Sequence, residues 1–384
     1  MRLFWLSGLV NKLSLGPKRL STALSLLLGF CSLFAASISS ASALPGGEYL
    51  LTVTRPGSTL NIIDVAADKL VKQCDLGVGP GSGTLVVSPD AKVAYVLGNY
   101  FSDVYGVELD SCDVIFSTRQ SEGNIRVKSI GSLTLSPDGK TLYTHQNRVR
   151  LERDHYEVLD STIAAFDTQA GLDTLAHKVF TSPRQITILD RLETGELILG
   201  GQDVFLMNPE TGTYETLLES LSLKDPAFAP RDVLTVWPLS SINNEFIRLF
   251  STAKWGDEPG NLETADWLWG YESVDLATGE AKSTIFGPLE VALFSGARRP
   301  HHPNEMYGVL NFLKVYDIES ATEIRSTPVD HSYYTLNFSK SGDKLYLLGA
   351  DADIGVFDPD SLEKLGVIPL PGDGSLANSV VIER

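Results

Sequence analysis

The 384-residue chain has little cysteine and little positive charge. Its three cysteines form no C-x-x-C pair, which excludes a thiolate zinc site, a thioredoxin-type site and covalently attached c-type haem on this chain. Lys and Arg number 31 against 48 Asp and Glu, a net charge of -17. With no basic excess to displace counterions from phosphate, nucleic acid is excluded as a partner, and an anionic membrane surface is an equally poor one. A G-x-S-x-G nucleophile elbow, an H-E-x-x-H pair and an EF-hand loop are also missing, which removes the usual hydrolase, zincin and calcium signals. The glycine-dense run from Gly77 to Gly83 is no dinucleotide fingerprint, because its third glycine would fall on Ser82 and no helical pattern follows. It reads as a loop between repeats.

What is present begins with an address. Arg2, Lys12, Lys18 and Arg19, with no acid among them, precede an apolar stretch from Leu20 to Ala36 and a small-residue run ending Ala41-Ser42-Ala43. This is the pattern of a cleavable secretory signal over 1–43. An uncleaved anchor fits less well, since the stretch is diluted by Ser and Ala and falls short of the ~20 strongly apolar residues of a span. The mature region, 44–384, loses four cations and becomes still more acidic. Export would leave Cys74 and Cys112 either paired or as two buried thiols, because spacing alone does not supply a Cα separation.

Three stretches share one pattern: Leu85-Val-Val-Ser-Pro-Asp90 before Val93–Leu97, Leu133-Thr-Leu-Ser-Pro-Asp-Gly139 before Leu142-Tyr143, and Leu336-Asn-Phe-Ser-Lys-Ser-Gly342 before Leu345–Leu347. Each is strand, tight turn, strand. A second marker, an apolar residue followed by Asp or Asn and a turn, ends at Asp64, Asp110, Asp167, Asn208, Asp275, Asp317 and Asp358. The average spacing is about fifty residues, the length of one four-stranded propeller blade. Seven markers predict an all-β, seven-bladed β-propeller of four-stranded antiparallel blades; a β-sandwich pair is the lesser alternative. The leftover strand Ser379–Ile382 is expected to close the ring beside Tyr49–Val53, pairing edge groups that would otherwise stay open.

Two long intervals mark insertions, the places where rigid scaffolds carry function. One spans 147–160. The other, 254–270, holds Trp255, Trp267 and Trp269, three of the chain's five tryptophans. Their concentration points to a partner-interface patch, against the alternative that the insertion folds back and buries them. His301-His302 reads as a polar turn, since adjacent residues on a strand point to opposite faces. His331-Ser-Tyr-Tyr334 and Pro183-Arg-Gln-Ile186 precede inner strands, where propeller loops converge on the axis.

Six segments in order, Ser136–Leu142, Val149–Glu152 leading to His155–Val158, Pro183–Thr187, Asp232–Leu234 ahead of Val236-Trp237, His331–Tyr334 and Ser361–Lys364, resemble the β subunit of quinohemoprotein amine dehydrogenase over nearly the whole mature chain. The resemblance implies a periplasmic αβγ complex that oxidises primary amines to aldehyde and ammonia. In that family the γ subunit carries cysteine tryptophylquinone and the α subunit two c-type haems. The β propeller binds no cofactor and has no catalytic residue of its own. The expected role here is to wall the substrate pocket, with Arg184, Gln185, Trp237, His331, Tyr333 and Tyr334 as candidates for the face meeting γ. The cysteine pair and the Trp-bearing insertion stand outside the resemblance. A stand-alone exported propeller of lactonase or interaction type is the alternative.

Overall fold

A computed structural model describes residues 43–79, 83–131, 133–234 and 237–384. The secretory-signal expectation lies, except for Ala43, outside these residues. Among them the regular secondary structure is all strand, arranged as seven antiparallel sheets. Blade 1 takes Glu48–Thr54, Thr59–Asp64 and Lys69–Asp75, with Ser379–Glu383 as its innermost strand. Blades 2 to 7 follow as 85–117, 133–181, 188–218, 232–288, 293–328 and 333–369, each running from the innermost strand outward. The expected seven-bladed propeller is the observed fold.

Burial follows from position in the blade. Middle strands such as Thr162–Asp167 are buried almost continuously because neighbouring blades cover both faces, whereas the outer strand Thr322–Pro328 alternates residue by residue with solvent. Ring closure has the expected partner: Tyr49 pairs with Ile382 and Leu51 with Val380. The seam is then held from both sides. Arg384 forks onto Asp110 of blade 2 at 2.6 and 3.0 Å, and Cys74 is disulfide-bonded to Cys112 across a Cα separation of 5.1 Å. On the other side, Lys344 and Tyr346 of blade 7 reach Asp68 at 2.7 and 2.9 Å.

One face of the disc carries the turns between first and second and between third and fourth strands. Here the sequence markers acquire a physical cause. Ser88 and Ser136 each donate to the Asp two residues on, at 2.7 Å, and accept a backbone N–H from the returning strand at 3.0 and 2.9 Å. Asp275 and Asp358 accept two backbone N–H groups apiece from the turns that follow them. Gly139 has φ +70, and a Cβ there would stand 2.7 Å from Pro89 of the preceding blade's turn. Successive turns therefore stack, and that contact admits only glycine. His301, φ +63, occupies the corresponding turn of blade 6, in keeping with the polar-turn reading. The other face carries the connectors between blades and the loops between second and third strands.

Candidate functional site

The two insertions and the Pro183–Ile186 and His331–Tyr334 segments emerge on the connector face. In blade 3 the second strand, Thr141–Leu151, runs past its neighbours. Its upper half pairs with Ile125–Lys128 on one side and Tyr156–Val158 on the other, forming a three-stranded extension above the disc. In blade 5 the strands Glu245–Lys254 and Asp266–Asp275 are likewise long, so much of the expected insertion is strand rather than loop.

That geometry separates the tryptophans. Trp267 and Trp269 share a face of one strand, two residues or about 7 Å apart. Trp269 lies at the level of the disc, buried in the core between blades 5 and 6, with its indole N–H donating to Val291 O at 3.2 Å. It is therefore not a surface anchor, which corrects the expectation for that residue. Trp267, at the connector-face end of that strand, is 45% exposed. Trp255 is half-buried, and its backbone N–H donates to Ala227 O at 2.9 Å.

On the axis, Trp237 of blade 5 stacks on Tyr334 of blade 7, with centroids 6.3 Å apart and planes 4° from parallel, and Phe294 of blade 6 contacts both rings. Blades 5 and 7 are not neighbours in the ring, and such blades meet only near its centre. The three rings thus form an aromatic cluster at the axis, Trp237 buried and the other two half-buried. Tyr333 faces the opposite way. It is fully buried in the core of blades 6 and 7, its hydroxyl donating to Asp330 at 3.2 Å, and burial keeps its phenol protonated. A pocket-wall role for Tyr333 is corrected accordingly: it is core. His331 lies against the Tyr333 ring at 4.0 Å, with Nε2 3.1 Å from Asp353 and Nδ1 3.8 Å from Asp351. Asp353 thereby holds the imidazole at the loop between the second and third strands of blade 7, with Asp351 close by.

Arg184 and Gln185 make their contacts in blades 3 and 4 instead. Arg184 donates to Leu159 O at 3.3 Å at the base of the extension. Gln185, φ +61, accepts from Gln202 at 2.8 Å and lines a cavity of about 230 Å³ with Thr187, Leu221, Arg231 and Asp232. Sustained positive φ at a side-chain-bearing residue needs outside support. His145 supplies some: fully buried beneath the connector, it holds Pro183 O at 3.0 Å, and burial lowers its pKa to about 4. The neutral ring must then carry its proton on Nε2, since a carbonyl only accepts.

Arg231 leads to a second brace. Arg248 and Glu272, directly paired on adjacent strands, are both buried; Arg248 Nε donates to Glu272 at 2.6 Å and Arg231 donates to the other carboxylate oxygen at 2.9 Å. Arg248 also donates to Gly201 O. A cavity of about 380 Å³, lined from six of the seven blades, opens at the turn-face end of the axis. On its wall sits buried Asp190, whose pKa burial raises. Sequence reasoning missed His145, Asp190, Phe294 and the Arg248–Glu272 pair. The polar residue inside each apolar strand was the available signal for all but Phe294. Among the described residues no group of three His, Cys, Asp or Glu side chains is arranged to hold a metal ion.

No protein-family model matches the chain, and no curated protein sequence does. Among solved structures it is similar to hydrazine synthase from Kuenenia stuttgartiensis, at 12% identity and a TM-score of 0.52 over 80% of this chain and 91% of that one. Dihydro-heme d1 dehydrogenase NirN matches at 13% identity, TM-score 0.49, over 89% and 76%. Apo AztD from Citrobacter koseri matches at 10%, TM-score 0.48, over 88% and 98%. At such identities the first likeness carries the propeller fold, and the other two add no argument.

Proposed function

We propose that this chain is the cofactor-free propeller subunit of a periplasmic quinohemoprotein amine dehydrogenase, seating a quinone-bearing γ subunit and a dihaem α subunit and walling the pocket for a primary amine. One observation carries the reading. Four of the six segments that resemble the family, Val149–Val158, Pro183–Thr187, Asp232–Leu234 and His331–Tyr334, are far apart in sequence yet lie at the connector-face end of their blades. A scaffold whose partner sits over the axis needs its specific residues on that face, while the turn face can remain generic.

In the partner, cysteine tryptophylquinone supplies the electron sink for amine oxidation. What this chain contributes is enclosure. The Trp237, Phe294 and Tyr334 rings offer an apolar floor for the body of an amine and keep water from beneath it. His331, held by Asp353 and near Asp351, offers the γ subunit a polar group on the connector face of blade 7. Gln185 and Arg184, at the connector between blades 3 and 4, offer contacts to the γ subunit rather than to the amine.

The test is an internal-loop-tagged chain isolated gently from amine-grown native cells, with the co-purifying bands stained for haem and quinone. A haem-positive band, a quinone-positive small band and amine-dependent dye reduction are expected. In that intact complex Tyr334→Ala should raise KM for an aromatic amine about tenfold or more at unchanged cofactor content. A chromophore-free single band overturns the subunit reading, and unchanged amine kinetics remove Tyr334 from the pocket.

A further inference from the structure

The extension of blade 3 has two unlike faces. Residues opposite one another in its ladders share a face, so Val127 and Arg148, and Ile125, Arg150 and Glu157, lie on one side. On that side Val127 is buried, and Arg150 is tied to the exposed Glu157 in an ion pair. The opposite side carries Val149, Leu151, Tyr156 and Val158 with Arg126 and Lys128. Tyr156 is 74% and Val158 61% exposed, and Tyr156 is the most exposed large apolar side chain among the described residues. No acid lies in those rows; Glu152 and Asp154 sit at the hairpin tip. Tyr156–Val158 is also an edge strand, paired on one side only among the described residues.

The neighbouring loop reinforces the surface. Asn99, Tyr100 and Phe101 all have positive φ, at 47, 55 and 66°, an arrangement bulky residues adopt only when held. Ser129 N–H holds it through Phe101 O at 2.8 Å. Tyr100, exposed, is displayed beside the Lys128 ammonium, 5.7 Å from its ring centre. An apolar sheet face, a strand edge and a strained aromatic therefore adjoin one pair of cations.

We propose that this face docks a second, different polypeptide through an acidic, apolar extended segment that adds to the Tyr156–Val158 edge. Charge selects the occupant. Two copies meeting through this same face would set Arg126 and Lys128 against their own counterparts. The chain's own residues 1–43 carry four cations and no acid, the same sign as the patch. An acidic segment of another chain meets both cations and supplies the missing backbone partners, the pattern of strand addition at a sheet edge. Nothing in this surface depends on amine oxidation.

The experiment places a photo-crosslinker in the full chain, Tyr156→p-benzoylphenylalanine, expressed in native cells and irradiated before lysis. The crosslinked peptide is then sequenced. The expected product is one heterologous polypeptide, joined through a peptide bearing Asp or Glu. Its yield should fall about tenfold with Arg126→Glu/Lys128→Glu and with Val158→Glu, at unchanged melting temperature of the isolated chain. Crosslinks to another copy of this chain, no crosslink, or a yield indifferent to the charge reversal each overturn the proposal. If the captured chain carries no quinone or haem and no amine is oxidised, the docking surface stands while the amine dehydrogenase reading falls.

Discussion

On the turn face, blades 2 and 3 solve one local problem with the same atoms: a Ser hydroxyl and an Asp carboxylate satisfy the turn, and Gly139 stacks on the proline of the blade before. On the connector face blades 3 to 7 differ in their largest features. Blade 3 rises into an extension, blade 4 leans on His145 through the connector that enters it, blade 5 is braced by Arg248, Glu272 and Arg231, and blades 5, 6 and 7 meet through three aromatic rings. The first arrangement is redundant and tolerates loss. The second is made of single parts, so a lesion there should cost more and also move the surface proposed to act.

The largest effect should come from the seam, which belongs to both faces. Deleting 379–384 strips blade 1 of its inner strand and blade 2 of the Arg384 fork. No cooperative thermal transition by circular dichroism is expected, and a transition within a few degrees of the full chain would mean that strand closure does not hold the ring. Next comes Glu272→Ala, which leaves Arg248 charged and buried. Removing one member of such a pair costs about 3–5 kcal/mol, whereas an apolar replacement of both costs less. Urea unfolding of Glu272→Ala against Arg248→Met/Glu272→Leu reads the difference. Equal losses would make the site a packing problem rather than an electrostatic one.

The contrast between the faces also explains what sequence could and could not reveal. Turn chemistry is local, so Ser-Pro-Asp at 88 and 136 and the seven Asp or Asn markers reported the period, the blade count and the closing strand. Blades 4 and 6 turn through Thr194-Gly195 and Pro300-His301 and carry no such motif, yet the third-strand marker still located them. The axis cluster was only half legible. Trp237 and Tyr334 drew attention as types, but their stacking depends on which non-neighbouring blades meet, and Phe294 has no local mark at all. Tyr333 and Trp269 misled for the same reason, since strand alternation decides whether an aromatic residue faces core or opening, and a bulge between Tyr333 and Thr335 shifts that register. The Trp-x-Trp spacing at 267 and 269 was itself a period-two signal of strand within the supposed loop.

His145 offers an intermediate effect with a defined pH signature. Its folded pKa of about 4 lies below the ordinary 6.5, so as pH falls the unfolded chain takes up this proton first. The stability tied to the neutral ring is therefore complete above about pH 6.5 and declines between there and pH 4, by on the order of 3 kcal/mol. His145→Gln keeps an N–H donor for Pro183 O and removes the titration. Its unfolding free energy should vary less than the parent's over that interval, and parallel curves would show that the imidazole is protonated in place.

The smallest effect should lie in the repeated turns. Asp138→Ala removes an acceptor for Ser136 Oγ at 2.7 Å and for Lys140 N–H at 3.1 Å, and Asp317→Ala removes the acceptor for both donors of Ser320 at 2.7 Å. All of these groups are exposed, so water replaces the lost carboxylate and no buried donor is stranded. Each change should cost far less than Glu272→Ala. Hydrogen bonding holds both carboxyls below their ordinary pKa, so this stabilisation is present above about pH 4 and is lost as the folded-state carboxylate protonates below it. Wild type and variant should therefore converge in acid. The double variant should lose the sum of the two, because blades 3 and 6 are not adjacent and each turn satisfies only itself. A loss from either as large as that of Glu272→Ala would mean that the turns are coupled around the ring through their proline and glycine stacks, and the turn face would then be as singular as the face opposite.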